Sequence, residues 1–250
     1  MIFIREAGAG PALLLLHAFP YDSRQWIDQI ARLSRSMRVL APDFPGFGRS
    51  APPTAAATID GVARELLERL RALDVRRALV VGNSFGGYIA LALFHIAPEF
   101  FTGFGFVNSR AAADDDSAKA KRVALIRKAK SEGVGFLLDG ASESERSMIA
   151  DATVDGFVAA QCAIAGRLDA TALLPSISCP SSVIWGTADP LVPSSEGRAI
   201  AAALPDCFFE PIDGAGHVPS LDRPAEVSAS LERLAARCLK YAPGGDPSQF

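Results

Sequence analysis

The chain has 250 residues, 49% of them apolar and 21% charged; this ordinary globular mix supplies ample core material and excludes a disordered chain. Twenty-five basic side chains against 28 acidic ones give a net charge of −3, and a surface of that sign repels phosphate backbones, which argues against a dedicated nucleic-acid binder. The four cysteines (Cys162, Cys179, Cys207, Cys238) have neither C-x-x-C nor zinc-site spacing, so free, mostly buried thiols are expected. Met1–Glu6 lacks the parts of a signal peptide, and every apolar run falls short of the ~18 residues of a membrane span. A soluble, cytoplasmic monomer or homodimer with no membrane partner is the expectation.

Taken in chain order, short apolar runs alternate with amphipathic stretches. Gly8-Ala9-Gly10-Pro11 is a turn signal, and Ala12–Leu16 behind it is a continuous apolar run suited to a strand buried on both faces. Val39–Ala41 is a second strand, closed by Pro42-Asp43 and Pro45-Gly46-Phe47-Gly48. Ile59, Val62, Ala63, Leu66, Leu67, Leu70 and Leu73 then recur at three- and four-residue steps, one apolar stripe on a helix. Ala78–Val81 is a third strand, 85–96 a helix, and Phe104–Val107 a fourth strand. From 109 to 175 only helical periodicity is found. Asp114-Asp115-Asp116 precedes Lys119, Lys121, Arg122, Arg127, Lys128 and Lys130, an order that complements a helix dipole and reads as a solvated helix face. A second helix covers roughly 153–166. Strands resume at Ser182–Trp185 and Cys207–Ile212, and Val227, Leu231, Leu234 and Cys238 share one face of a helix over 224–239.

This alternation predicts an α/β fold, a mostly parallel sheet covered by helices on both faces. The predicted core domain is 1–108 with 176–240. The stretch 109–175 is an all-helical cap inserted between two strands, and 241–250 is a flexible tail.

The sharpest chemical signal is Gly82-Asn83-Ser84-Phe85-Gly86, followed by Gly87: G-x-S-x-G between an apolar strand and a helix. The small neighbours permit a tight strand-to-helix turn that pushes the Ser84 hydroxyl up at the sheet's edge. A serine hydroxyl is a weak nucleophile and needs a base. Of three histidines, His17 ends a strand, and His95 lies eleven residues past Ser84, roughly 16 Å along the helix axis. His217, in the loop Gly214–Pro219 after the last strand, is the expected base. Asp189 follows the strand Ser182–Trp185 and completes a Ser–acid–His order; Asp213 competes for this role, and Asp222 reads as the cap of the following helix. The amides of Phe85 and Phe19, the latter in His17-Ala18-Phe19-Pro20, are the expected oxyanion donors.

These pieces together, with Pro42–Ser50, Gly186–Asp189 and Gly216-His217, resemble the α/β-hydrolase superfamily over nearly the whole chain. Within it the sequence is similar to small capped hydrolases of the 3-oxoadipate enol-lactonase-like group, to which Val107-Asn108-Ser109-Arg110-Ala111 adds a weaker likeness. The family usually has Gly where this chain has Ala18. The resemblance implies that Asp43 and Arg49 fix a structural loop, and Ser84, where some relatives carry Asp, argues against haloalkane dehalogenase and epoxide hydrolase chemistry. It implies hydrolysis of a small carboxylic ester or lactone, with Arg110 facing a substrate carboxylate in the enol-lactone case. Phe136, Leu137, Leu138 and Phe157 are candidate lining of the pocket under the cap. The same triad would serve a carbon–carbon bond hydrolase, and the fold alone would serve a small-molecule sensor. No metal-ligand set and no nucleotide-cofactor motif is visible, so no metal or cofactor is expected.

Overall fold

The computed structural model describes residues 1–53 and 57–240, so the predicted tail 241–250 lies outside the described residues. Seven strands form one sheet: β1 (Ile4–Ala7), β2 (Ala12–Leu16), β3 (Arg38–Pro42), β4 (Ala78–Asn83), β5 (Phe101–Val107), β6 (Ser181–Gly186) and β7 (Cys207–Ile212). Their order is β1-β3-β2-β4-β5-β6-β7. All neighbours pair in parallel except β1 with β3. β1 is a correction to the sequence reading, which takes Met1–Glu6 only as lacking a leader. Its four residues include Arg5 and Glu6, and it sits half-buried at the edge, where antiparallel pairing needs no crossover helix.

The strands supply two cores by simple alternation. Leu14, Leu16, Val80, Phe104, Phe106 and Val183 point to one face, Leu13, Leu15, Leu79, Val81, Val107 and Ile184 to the other. The first face is covered by α2 (Ile59–Ala72) and α3 (Phe85–Ile96), together with α7 (Ser194–Ala203). The stripe on α2 is buried from Ile59 through Leu70, and Thr58 caps the helix by accepting the Gly61 N–H at 3.0 Å. The second face is covered by α1 (Ile27–Leu33) and α9 (Pro224–Lys240), with Val227, Leu231, Leu234 and Cys238 all buried as their spacing predicts. Each fully buried leucine contributes about 1.5–3 kcal/mol relative to an exposed one, so this two-sided packing is what makes the continuous Leu13–Leu16 run a strand.

Between β5 and β6 lie only helices and helical turns. These are α4 (Asp116–Glu132), α5 (Glu143–Ile149) and α6 (Val154–Ala165), each opened by a side-chain cap from Asp115, Ser142 and Thr153 respectively. α4 buries only Ala129, as the charge run predicts. Asp114 departs from that reading. It precedes α4, is buried, and is clamped between the guanidinium groups of Arg122 and Arg167, the latter at 2.7 Å. The thiols are free, but only Cys238 is buried and Cys162 is exposed, which corrects the expectation of a mostly buried set. Among the described residues no single helix is long and apolar enough to cross a membrane.

The chain leaves β2 for β3 on one side and reaches β4 on the other. The crevice outside the carboxyl ends of β2 and β4 is therefore the topological switch point, the place where open α/β sheets bind ligands. The loop His17–Pro20 and Ser84 flank it.

Candidate active site

β4 ends at Asn83 and α3 begins at Phe85, which leaves Ser84 alone to make the turn, with φ 50° and ψ −110°. A non-glycine residue held there is strained, and such strain persists only where its surroundings enforce it. The enforcement is steric and polar. A Cβ on Gly82 would strike the backbone of Gly86, and one on Gly86 would strike the Leu16 carbonyl, so only glycines let β2, β4 and α3 approach this closely. The Ser84 N–H donates to the Val107 carbonyl at 2.9 Å, and its own carbonyl accepts the Ser109 hydroxyl at 2.8 Å. Phe85 heads α3, where the first amides have no intrahelical acceptor.

Asp189, after β6, and His217, after β7, meet at 2.8 Å between Oδ2 and Nδ1. The carboxylate is nearly inaccessible, with 1% of its side chain exposed. An ionised carboxylate only accepts, so Nδ1 carries the proton and Nε2 is the basic nitrogen of the neutral ring. Burial alone would raise the Asp189 carboxyl. The hydrogen bond and charge of His217, the Asn108 amide and the Leu191 N–H outweigh it, and its pKa is lowered. Asn108 Nδ2 reaches Asp189 Oδ2 at 2.6 Å, and Leu191 N–H reaches Oδ1 at 2.7 Å. Asp213 instead accepts the Thr187 hydroxyl at 3.3 Å and takes no part in this pair. Asp222 lies in the single turn α8 (Pro219–Asp222) and accepts the Gly216 N–H at 2.7 Å. It ties the His217 loop to its own exit, which corrects the expectation that it caps the next helix.

The loop after β2 is pinned on both sides of Phe19. The Ala18 N–H donates to Gln25 Oε1 at 2.8 Å, and the Ala18 carbonyl accepts the Tyr21 N–H at 3.0 Å. His17 is buried without access to water. The Phe44 N–H donates to its Nε2 at 3.0 Å, so its Nδ1–H donates to Ala18 O at 2.8 Å. The Ala18 methyl group is itself fully buried beside them. Asp43 accepts the Ser23 and Arg49 amides at 2.8 Å each, the loop-fixing part the sequence suggests. Gln25 then joins this loop to the nucleophile turn. Its Nε2 donates to Asn83 Oδ1 at 2.9 Å, and Asn83 Nδ2 donates to the carbonyls of Val107 at 3.0 Å and His217 at 3.2 Å. The residue before Ser84 thus holds the His217 backbone within one hydrogen bond of the turn.

A family model described as the alpha/beta hydrolase family matches residues 13–230. The chain belongs to that family. Among solved structures it is similar to a thermophilic esterase from Thermogutta terrifontis, at 30% identity and a TM-score of 0.91, covering 95% of this chain and 93% of that one. It is also similar to the enol-lactonase from Burkholderia xenovorans, at 25% identity and a TM-score of 0.84, covering 94% and 96%. Among curated relatives, 3-oxoadipate enol-lactonase 1 of Acinetobacter baylyi is 27% identical over 86% of this chain and 84% of its own length. The protein is a hydrolase of the α/β fold, related to esterases and enol-lactonases.

The other predicted residues of this α/β-hydrolase fall in three places. Arg110 Nε lies 3.7 Å from Glu196, and Arg110 lines a cavity of about 520 Å³ with Tyr88, Leu91, His95 and Leu173. Ser84, Asp189 and His217 are not part of that lining. Phe157, on α6, is fully buried and packs on Phe19 with ring centres 5.2 Å apart. Phe136 is half-buried, meets Phe157 edge-on at 5.8 Å and carries the Lys128 ammonium over its face at 4.6 Å; Leu137 and Leu138 share its helical turn. Sequence reasoning passes over Gln25, Asn83, Ser109 and the part played by Asn108. The available signal is their position, since each adjoins the nucleophile, the oxyanion loop or the end of β5.

Proposed function

We propose that this protein is a serine hydrolase that cleaves a small carboxylic ester or lactone through an acyl-enzyme. The observation that carries the reading is the Asp189–His217 pair at 2.8 Å, tethered through Asn83 to the strained turn that presents Ser84. Similarity to an esterase and to enol-lactonases supports the choice of bond. Ser84 Oγ attacks the carbonyl carbon while His217 Nε2 takes its proton, and Asp189 stabilises the imidazolium that forms. The amides of Phe19 and Phe85 hold the oxyanion, and His217 returns its proton to the departing oxygen. Water, deprotonated by the same nitrogen, then releases the acid and restores Ser84. In this reading residues 1–108 and 176–240 form the catalytic core, and 109–175 is the cap that selects the acyl or alcohol group.

The test is a graded panel of esters and lactones with Ser84→Ala as the blank, alongside fluorophosphonate labelling. One label per chain at Ser84 is expected, with a fall in kcat of about 10⁴- to 10⁶-fold in the variant, because triad members act as a unit. A variant that keeps a tenth of the activity removes Ser84 from the role of nucleophile. Tight ligand binding by the wild type without turnover would make the protein a sensor instead, and turnover of vinylogous diketones alone would make it a carbon–carbon bond hydrolase.

A further inference from the structure

We propose that α5 sets the position of the loop bearing Phe19 through one carboxylate, and that Glu145 and Tyr21 are positioning residues for the oxyanion-binding amide. The inference rests on the serine-hydrolase reading above. Tyr21 closes the turn around Phe19, since its N–H returns to the Ala18 carbonyl at 3.0 Å. Its hydroxyl donates to Glu145 Oε1 at 2.7 Å, a contact between residues 124 apart in sequence. Glu145 is the third residue of α5. Its other oxygen, Oε2, accepts the Ser142 N–H at 2.8 Å and the Ser142 hydroxyl at 2.7 Å, closing a capping box. One carboxylate therefore both starts α5 and holds Tyr21, and α5 cannot shift without pulling on the turn that contains Phe19.

Two further contacts fall on the same short segment. Arg24 joins Asp22 to Asp151 just beyond α5, the latter at 2.5 Å. Phe19 itself packs on Phe157 of α6. The near end of α6 is seated hard on the core, because a Cβ on Gly156 would strike the backbone of Gly46. With α6 fixed there, α5 holds the exposed side of the loop. The Arg24–Asp151 pair is half-exposed and adds little by itself. The Tyr21–Glu145 bond is charge-assisted and partly sheltered, the stronger kind. Burial raises the Glu145 carboxyl, but the hydrogen bonds from Ser142 and Tyr21 outweigh it and hold its pKa down, so the acceptor stays ionised at neutral pH.

The experiment compares Tyr21→Phe, Glu145→Ala, Glu145→Gln and the Tyr21→Phe/Glu145→Ala double variant. It reads kcat and KM on p-nitrophenyl acetate, together with hydrogen exchange of residues 17–24. Loss of one charge-assisted bond predicts a fall in kcat of about tenfold in Tyr21→Phe and in Glu145→Ala, with KM within about twofold. Gln caps the Ser142 N–H with its carbonyl oxygen and turns its amide N–H to the Tyr21 oxygen, which then accepts, so Glu145→Gln recovers most of the rate lost in Glu145→Ala. The double variant is no slower than the slower single one. In Glu145→Ala, exchange at residues 18–21 rises although the substitution lies in another part of the chain. Faster exchange confined to 142–149, with kcat unchanged, overturns the proposal, and so do losses that simply multiply in the double variant. If the wild type is neither labelled at Ser84 nor active on any ester, the hydrolase reading fails, while the exchange at 18–21 still decides whether α5 holds the loop.

Discussion

Asn108 donates to Asp189 Oδ2 at 2.6 Å, the same oxygen that accepts the His217 Nδ1–H at 2.8 Å. Its other amide atom, Oδ1, accepts the Gly186 N–H at 2.9 Å, so Asn108 fixes both the carboxylate and the strand that carries it. It does this from φ 41°, a left-handed conformation that asparagine tolerates better than most residues. With Asn108 absent, Asp189 keeps the Leu191 and Val192 amides on Oδ1 but has only the histidine on Oδ2.

Asn108→Ala is accordingly expected to lower kcat by about 10- to 100-fold on a short p-nitrophenyl ester, since outer hydrogen bonds of this kind are worth 1.5–3 kcal/mol when a charge is involved. KM should change little, because Asn108 faces the carboxylate and not the substrate. A variant with wild-type kcat and a raised KM would place Asn108 in substrate binding instead.

The strands β2 to β7 and the long helices are legible because each rests on a repeating signal. Leu13 to Leu16 feed the two cores alternately, and the stripe from Ile59 to Leu70 marks one helix face. The nucleophile turn was legible for a different reason: backbone crowding at Gly82 and Gly86 admits only one residue type, and that leaves a mark in the sequence. Gln25, Asn83 and Asn108 leave no such mark beyond their place beside the turn, the oxyanion loop and the end of β5. Each is a single buried amide whose partners come from distant segments, as when Gln25 reaches Asn83 and Ser220. β1 is not legible because four half-buried residues that include Arg5 and Glu6 carry too short an alternation to register. Asp222 reads as a cap because a carboxylate just ahead of a helix has the usual signature of one, and only the closed loop shows it bound to Gly216.

That correction separates two aspartates near His217. Asp222→Ala removes the acceptor of the Gly216 N–H and frees the residue adjoining His217, so kcat should fall by roughly tenfold. Among the described residues Asp213 holds only the Thr187 hydroxyl, at 3.3 Å, and Asp213→Ala should stay within about twofold of wild type, as surface substitutions usually do. Measuring both variants on one ester decides the matter. An equal or larger loss in Asp213→Ala would return that residue to the triad.

His17 gives the fold a pH dependence of defined sign. Burial lowers its pKa, against the Ala18 carbonyl and the charges of Asp43 and Asp22, which raise it. The folded protein therefore binds fewer protons than the unfolded chain, and its stability falls as pH drops below the unfolded value of about 6.5. The structural reason is the Phe44 N–H, which needs the lone pair of Nε2 and would face an N–H if the ring were protonated. The thermal midpoint should be flat from pH 8 to 7 and fall between about pH 6.5 and 5 in wild type, with a shallower slope in His17→Asn. Parallel slopes in the two proteins would assign the acid loss to other groups.

Gly86 tests whether sterics or helix propensity rules the nucleophile turn. It lies in the first turn of α3, and alanine is the better helix former by about 1 kcal/mol. Propensity alone therefore predicts that Gly86→Ala stabilises. The added methyl group, however, would strike the Leu16 carbonyl at the end of β2, a backbone atom in the middle of the sheet that has no room to withdraw. Overpacking of that kind costs about 1–3 kcal/mol, and in a chain of this size each kcal/mol lowers the midpoint by roughly 2–4 °C. Gly135 is the control: a Cβ there meets nothing within 4 Å, and Gly135→Ala should stay within about 0.5 kcal/mol of wild type. Because the clash forces β2 and α3 apart, Gly86→Ala should also slow fluorophosphonate labelling of Ser84, which a purely global loss of stability would leave unchanged well below the midpoint. A Gly86→Ala protein as stable and as reactive as wild type would mean that the turn has slack, and the strain at Ser84 would then need another source.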